Sequence, residues 1–307
     1  MESRLSSQEE STLYLSLIWH QHQPSYLDPE KDQLQAPWVR THATKDYYTM
    51  AALIAEYREI HCTINLTPVL LLQLQKYYVE RLMQFIASET SSRGKHAFLE
   101  KFEGKTDPWI DLALKDTRLF DDTDRRYLFD GDWNVFSISD VVLARYPEYR
   151  RLKEKWQKDS QSLSVEDLRR TKFLSFLASF DPIFLEKKVQ LPDGNSVDLR
   201  KFVKRRGDGS YLLKKEITEH DCSQIVVEAF KVLANVVPIH KLLRYHSSSH
   251  RGQDPKYSGQ VELSTTPFFH PILPLIHDSD ITKTCQPQSP LPRRFHFPDD
   301  AEMHVRS

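Results

Sequence analysis

Several functional classes are made improbable by what the sequence lacks. Only three cysteines occur in 307 residues, Cys62, Cys222 and Cys285. They are widely spaced, odd in number and without CxxC or ribbon spacing, so neither a disulfide framework nor a thiolate metal centre is indicated. Residues 1–11 are polar, with no basic start leading into an apolar core, and read as no signal peptide. Apolar runs fall short of the roughly 20 residues that span a bilayer, so no membrane partner is expected and a reducing, cytoplasmic setting is the default. Charge of one sign is missing too. Lys and Arg number 42 against 43 Asp and Glu, which leaves no overall field to draw the chain onto nucleic acid. Arg293-Arg294 reads as a solvated turn. What remains is a globular composition, 39% apolar and 28% charged, long enough for one large domain or two smaller ones.

Patterning along the chain predicts an α/β fold with a helical interruption. Leu13-Tyr14-Leu15-Ser16-Leu17-Ile18-Trp19-His20 is almost continuously apolar, as a strand reads when helices cover both faces. After a loop carrying Pro24, Pro29 and Pro37, residues Tyr47, Met50, Ala51 and Ile54 recur at helical spacing from Thr44 onward. Cys62-Thr63-Ile64-Asn65-Leu66 reads as a second strand. Thr67-Pro68 reads as an N-cap with proline at the first helical position, opening a helix over 69–86. Strand, helix, strand, helix in this order predicts a parallel sheet. Residues 90–245 then read as a mostly helical insertion. Within it, Ser164 with Asp167 and Thr218 with Asp221 each resemble a capping box with Asp in place of Glu, and Ile225, Ala229, Leu233 and Val236 mark one helical face. Leu191-Pro192-Asp193-Gly194-Asn195 has the chemistry of a hairpin tip. A polar loop over 247–258 precedes a third strand, Gly259-Gln260-Val261-Glu262-Leu263-Ser264-Thr265. A proline-punctuated extended tail follows, and a helix begins at Asp299. Three parts result: 1–89, 90–245 and 246–307.

Three residues carry candidate chemistry on their own account. Alternation places His20 and His22 on one side where the first strand ends, and ligand sites of α/β barrels gather at the carboxyl ends of strands. Two imidazoles there can bind a metal, hydrogen-bond a sugar or simply pack. Glu262 sits at the corresponding place in the third strand pattern; a carboxylate on a core strand needs a partner or belongs to a site. On an edge strand it is an ordinary surface residue.

Trp19-His20-Gln21-His22-Gln23-Pro24, followed by Pro37-Trp38-Val39-Arg40-Thr41-His42-Ala43-Thr44-Lys45-Asp46-Tyr47-Tyr48, resembles the opening of glycoside hydrolase family 57. Asn65-Leu66-Thr67-Pro68 and Gly259-Gln260-Val261-Glu262-Leu263-Ser264-Thr265-Thr266-Pro267-Phe268-Phe269-His270-Pro271-Ile272-Leu273-Pro274-Leu275 resemble its second strand and second signature, in the same order. The likeness is to the amylopullulanase and α-amylase-like branch. Ser25 departs from it, since an aromatic residue commonly stands there. The resemblance implies an incomplete (β/α)7 barrel, of which this chain holds about three parallel strands, and a retaining enzyme that cleaves or transfers α-glucans. It implies that His20, His22 and Glu262 line sugar subsites and that Trp38 offers either an aromatic platform or loop packing. His270 is expected to support the loop after the third strand. No metal and no cofactor are implied.

Retention needs two carboxylates about 5–5.5 Å apart, and in the family order both follow the second signature. None of Asp278, Asp280, Asp299, Asp300 and Glu302 stands in the family's Trp-x-x-Glu-like context. The expectation is therefore a substrate-lining N-terminal portion without catalytic residues, inactive as an isolated chain. Alternatives are a non-catalytic α-glucan-binding fragment, one half of a split enzyme whose second chain completes the barrel, and a metal-dependent amidohydrolase-like enzyme using His20 and His22.

Overall fold

In the computed structural model, which describes residues 13–87, 92–131, 134–244 and 259–307, the first strand forms over Ile18–Gln21 (β1). Leu13, Tyr14 and Leu15 lie outside it and are exposed. Cys62–Leu66 (β2) and Val261–Ser264 (β3) complete a three-stranded parallel sheet with β2 in the centre. Ile18 pairs with Thr63 and Thr63 with Glu262, while His20 pairs with Asn65 and Asn65 with Ser264. Because strand side chains alternate between faces, these pairings stack two rows on one face: Ile18, Thr63, Glu262 and, one step toward the carboxyl ends, His20, Asn65, Ser264. The other face carries Gln21, Cys62, Ile64, Leu66 and Val261, all buried. The expectation that helices cover both faces of the first strand is corrected here. Ile18 is 66% exposed and His20 is exposed, so among the described residues the sheet is covered on one side only.

The helix read from Thr44 begins earlier and is continuous over 38–56 (α1), with a wide π turn at Ala43–Tyr47. Thr67-Pro68 opens a second helix over 68–87 (α2), again with a π segment, Gln73–Val79. Pro68 takes the first helical position, but the Thr67 side chain makes no cap bond. The following region is mainly helical, including Pro108–Leu114 (α3), Val165–Leu177 (α4) and Glu219–Leu243 (α5). Both predicted capping boxes form, at Ser164 and Thr218. Ile225, Ala229, Leu233 and Val236 are buried. The region also holds two small hairpins. One turns through residues 191–195, where Gly194 adopts φ +86°, and the other pairs Val203–Arg205 with Tyr211–Leu213.

α5 ties the parts together by packing against α1, α2, α3, α4 and β3, so one buried cluster runs from Leu34 to Val261. By length and composition this helix is apolar enough to cross a membrane, which the residue-by-residue reading of apolar runs did not detect. Two-thirds of its apolar window is buried inside the fold, so its hydrophobicity serves packing here. The tail read as extended from Thr282 to Pro298 opens instead with a short helix at Thr282–Cys285. The closing helix forms over Pro298–Arg306. The polar loop read over 247–258 and the leaderless start read over 1–11 lie outside the described residues.

A buried ion pair locks α1 to the helical region. Arg40 Nε donates to Asp107 Oδ2 at 3.0 Å, with both residues almost wholly buried. The same carboxylate oxygen accepts the Tyr78 hydroxyl at 2.8 Å, and Oδ1 accepts the Trp109 and Ile110 amides that begin α3. The Arg40 guanidinium lies 4.0 Å from the centre of the Phe176 ring. Every lone pair facing this charge is engaged, the condition under which a buried ion pair is tolerated.

Candidate active-site cleft

The carboxyl end of β1 runs into a loop whose side chains are held from three directions. Asn65, across the sheet, donates Nδ2 to Ser264 Oγ at 3.0 Å, which leaves its Oδ1 to accept His20 Nδ1 at 2.8 Å. With the Asn65 oxygen accepting, His20 Nδ1 carries a proton and Nε2 points away from this support. His22 Nδ1 lies 3.2 Å from Thr67 Oγ1. This contact explains the missing cap: the hydroxyl that would cap α2 faces the histidine instead.

The chain beyond His22 is pinned by side chains from the π turns of both helices. Gln23 Nε2 donates to the Tyr47 hydroxyl at 2.9 Å, and the Tyr26 hydroxyl donates to Gln23 Oε1 at 2.6 Å. From α2, Gln73 accepts the Tyr26 amide and donates to the Pro24 carbonyl, both at 2.9 Å. Burial pushes the Tyr47 phenol up to about 12, so it stays protonated. Farther along, Arg81 grips the Asp32 carboxylate with two bonds of 3.0 and 2.9 Å. Wide π turns commonly mark functional places in helices, and here each carries a residue that holds the histidine loop.

Three imidazoles gather at this end of the sheet. The His20 and His22 rings are 5.7 Å apart, and His270, from the turn after β3, lies 4.6 Å from the first and 4.8 Å from the second. Burial, then the neighbouring His270 and His20, hold the His22 imidazole below its ordinary range, favouring its neutral form. With Nδ1 on Thr67, the neutral ring keeps Nε2 to meet a sugar hydroxyl.

The four sequence-predicted site residues do not all meet. His20 and His22 lie together. Glu262 shares the open face but sits one row nearer the strand start, where Thr63 Oγ1 donates to it at 3.0 Å. Trp38 lines a separate cavity of about 250 Å³ with Trp109, His42 and Val142. Asn65, Thr67, Gln23, Tyr47 and Gln73 were missed as supports of the site. Asn65 and Thr67 stood inside a recognised segment, but nothing in their spacing tells which atom of a distant histidine each meets.

Gln260 has a structural task. Its Nε2 donates to the Ile54, Tyr57 and Ile60 carbonyls at 3.0, 2.8 and 3.2 Å, fastening the start of β3 to the end of α1.

A family model described as glycosyl hydrolase family 57 matches residues 16–291. No curated protein and no solved structure matches the chain.

Proposed function

The chain belongs to glycoside hydrolase family 57, and from that premise we propose that it is the N-terminal part of a retaining enzyme of the amylopullulanase and α-amylase-like branch. Membership brings action on glycans by hydrolysis or transfer. The finer reading is that the substrates are α-glucans, namely starch, glycogen or maltooligosaccharides, and that the sheet is part of an incomplete (β/α)7 barrel. The observation that carries it is the row His20, Asn65, Ser264 on an open sheet face, with His22 beside it. Such a row presents several fixed polar groups on a surface wide enough for a sugar ring. Glu262, one row below, lines the same face, and its hydrogen bond to Thr63 keeps the carboxylate oriented. Trp38 faces its own cavity and acts on glycan only where a chain extends beyond the histidine row.

On this reading the residues present bind and orient a glucosyl unit, while the nucleophile and the acid/base of the family order lie beyond Ser307. No turnover of amylose, pullulan or maltooligosaccharides is expected from these 307 residues. In the split-enzyme form of the reading, a second chain pairs with the outer edge of β1, which has no strand partner among the described residues, and supplies both carboxylates. The family assignment favours all of these over metal-dependent chemistry at His20 and His22.

The test is a calorimetric titration of the purified chain with maltotetraose and, in parallel, with the β-linked isomer cellotetraose. Weak binding of the α-linked sugar, lost in His20→Ala and absent for the β-linked one, supports the reading. Equal response to both sugars, or to neither, overturns it.

A further inference from the structure

We propose that His270 is a third sugar-contacting imidazole, which together with His20 and His22 forms a single subsite at the carboxyl end of the open sheet face. The proposal rests on the α-glucan reading above and assigns His270 a task different from supporting its own loop.

The backbone supplies the first argument. His270 adopts φ +58°, a left-handed conformation that any residue with a Cβ enters against a steric penalty and glycine enters freely. A turn that had only to form would be served better by glycine. The second argument is that the turn is already held without the ring. The His270 amide donates to the Pro267 carbonyl at 2.8 Å, the Phe268 amide to the His304 carbonyl at 2.9 Å, and the Val69 amide to the Phe268 carbonyl at 3.2 Å. All three are backbone bonds that any side chain at position 270 leaves intact.

The ring itself supplies the third argument. It sits 4.6 Å from His20 and 4.8 Å from His22, and neither of its nitrogens has a hydrogen-bond partner among the described residues. His20 and His22, by contrast, each use one ring nitrogen on a supporting side chain. His270 is exposed, so its donor and acceptor face the solvent that a ligand would displace. Backbone strain at a residue whose side chain meets two other candidate binding residues is the pattern of a pre-organised ligand contact. Three imidazoles converging within ring contact match the alternating donors and acceptors of adjacent sugar hydroxyls.

The experiment follows the imidazole carbon–proton resonances of the full chain during titration with maltotetraose, and measures affinity and melting temperature for His270→Gly and His270→Asn. The expected result is that His20, His22 and His270 resonances shift together with one saturation curve. His270→Gly should lower affinity about tenfold, the loss of one good hydrogen bond, while its melting temperature holds or rises because the strained φ is relieved. His270→Asn, which tolerates the same φ and keeps a polar head, should fall between. Wild-type affinity in both variants overturns the proposal. So does a loss of affinity matched by a fallen melting temperature in both, the sign of a supporting role. Shifts at His20 and His22 without His270 overturn this inference alone, whereas no response at any of the three overturns the α-glucan reading and the proposal with it.

Discussion

Asp107→Asn is expected to destabilise the fold far more than its single-atom change suggests. Asp107 is wholly buried and holds the equally buried Arg40 at 3.0 Å. Asparagine keeps one carbonyl oxygen, which can still accept the Trp109 and Ile110 amides, so the cap of α3 survives. Its amide group then faces the Arg40 guanidinium and the Tyr78 hydroxyl with donors on both sides. Removing one partner from a buried, hydrogen-bonded ion pair costs about 3–5 kcal/mol, because the remaining charge stays buried without compensation. Against a total stability of about 5–15 kcal/mol, that is a large fraction. With a urea dependence of about 3 kcal/mol per molar, a loss of about 4 kcal/mol moves the midpoint down by about 1.3 M. Tryptophan fluorescence and far-UV circular dichroism should be followed together, because a chain of this length need not unfold in one step. Adding Arg40→Met should return part of the loss, about 1 kcal/mol or more, since no lone charge then remains inside. A midpoint unchanged in Asp107→Asn, or a double variant that simply sums two losses, would refute the reasoning.

Other expectations concern single groups. Burial raises the Asp111 carboxyl to about 7; the native state then holds a proton that the unfolded chain releases, and stability falls as pH rises from about 4 to about 7. Asp111→Asn should flatten that slope and add about 1–3 kcal/mol at about pH 8, and parallel melting-temperature curves for the two proteins would contradict it. Gln260→Ala should lower the melting temperature by a few degrees, through about 1 kcal/mol for the lost amide bonds to the Ile54, Tyr57 and Ile60 carbonyls, of which the first two keep a backbone partner. A change of under one degree would show that water replaces the amide. Thr67→Val should change stability by under about 1 kcal/mol, because no cap bond is lost, yet it should shift the His22 ring resonances; a large drop in melting temperature with unmoved resonances would reverse that assignment.

Local chemistry was legible where it depends on neighbours in sequence. The capping boxes at Ser164 and Thr218, proline at the start of α2, the hairpin tip at 191–195 and the closing helix all form, because each is decided within a few residues by hydrogen-bonding geometry and fixed φ. The family was legible too, since its segments are contiguous strings. What could not be read was which face of a strand stays open. Leu13-Tyr14-Leu15 is as apolar as a buried strand, yet it is exposed, because covering it requires elements that no local pattern specifies.

The sequence by itself determined that this is an α/β chain of glycoside hydrolase family 57, with His20 and His22 on one side of the first strand, since period-2 alternation and motif order survive without coordinates. Tertiary structure decided which residues become a site. Parallel register sets Asn65 and Ser264 level with His20 and leaves Glu262 one row below. The turn after β3 brings His270 onto both histidines, while Trp38 lines a different cavity beside Trp109 of α3. Register and long-range packing fix distances between residues far apart in the chain, and a one-dimensional pattern carries no measure of those distances.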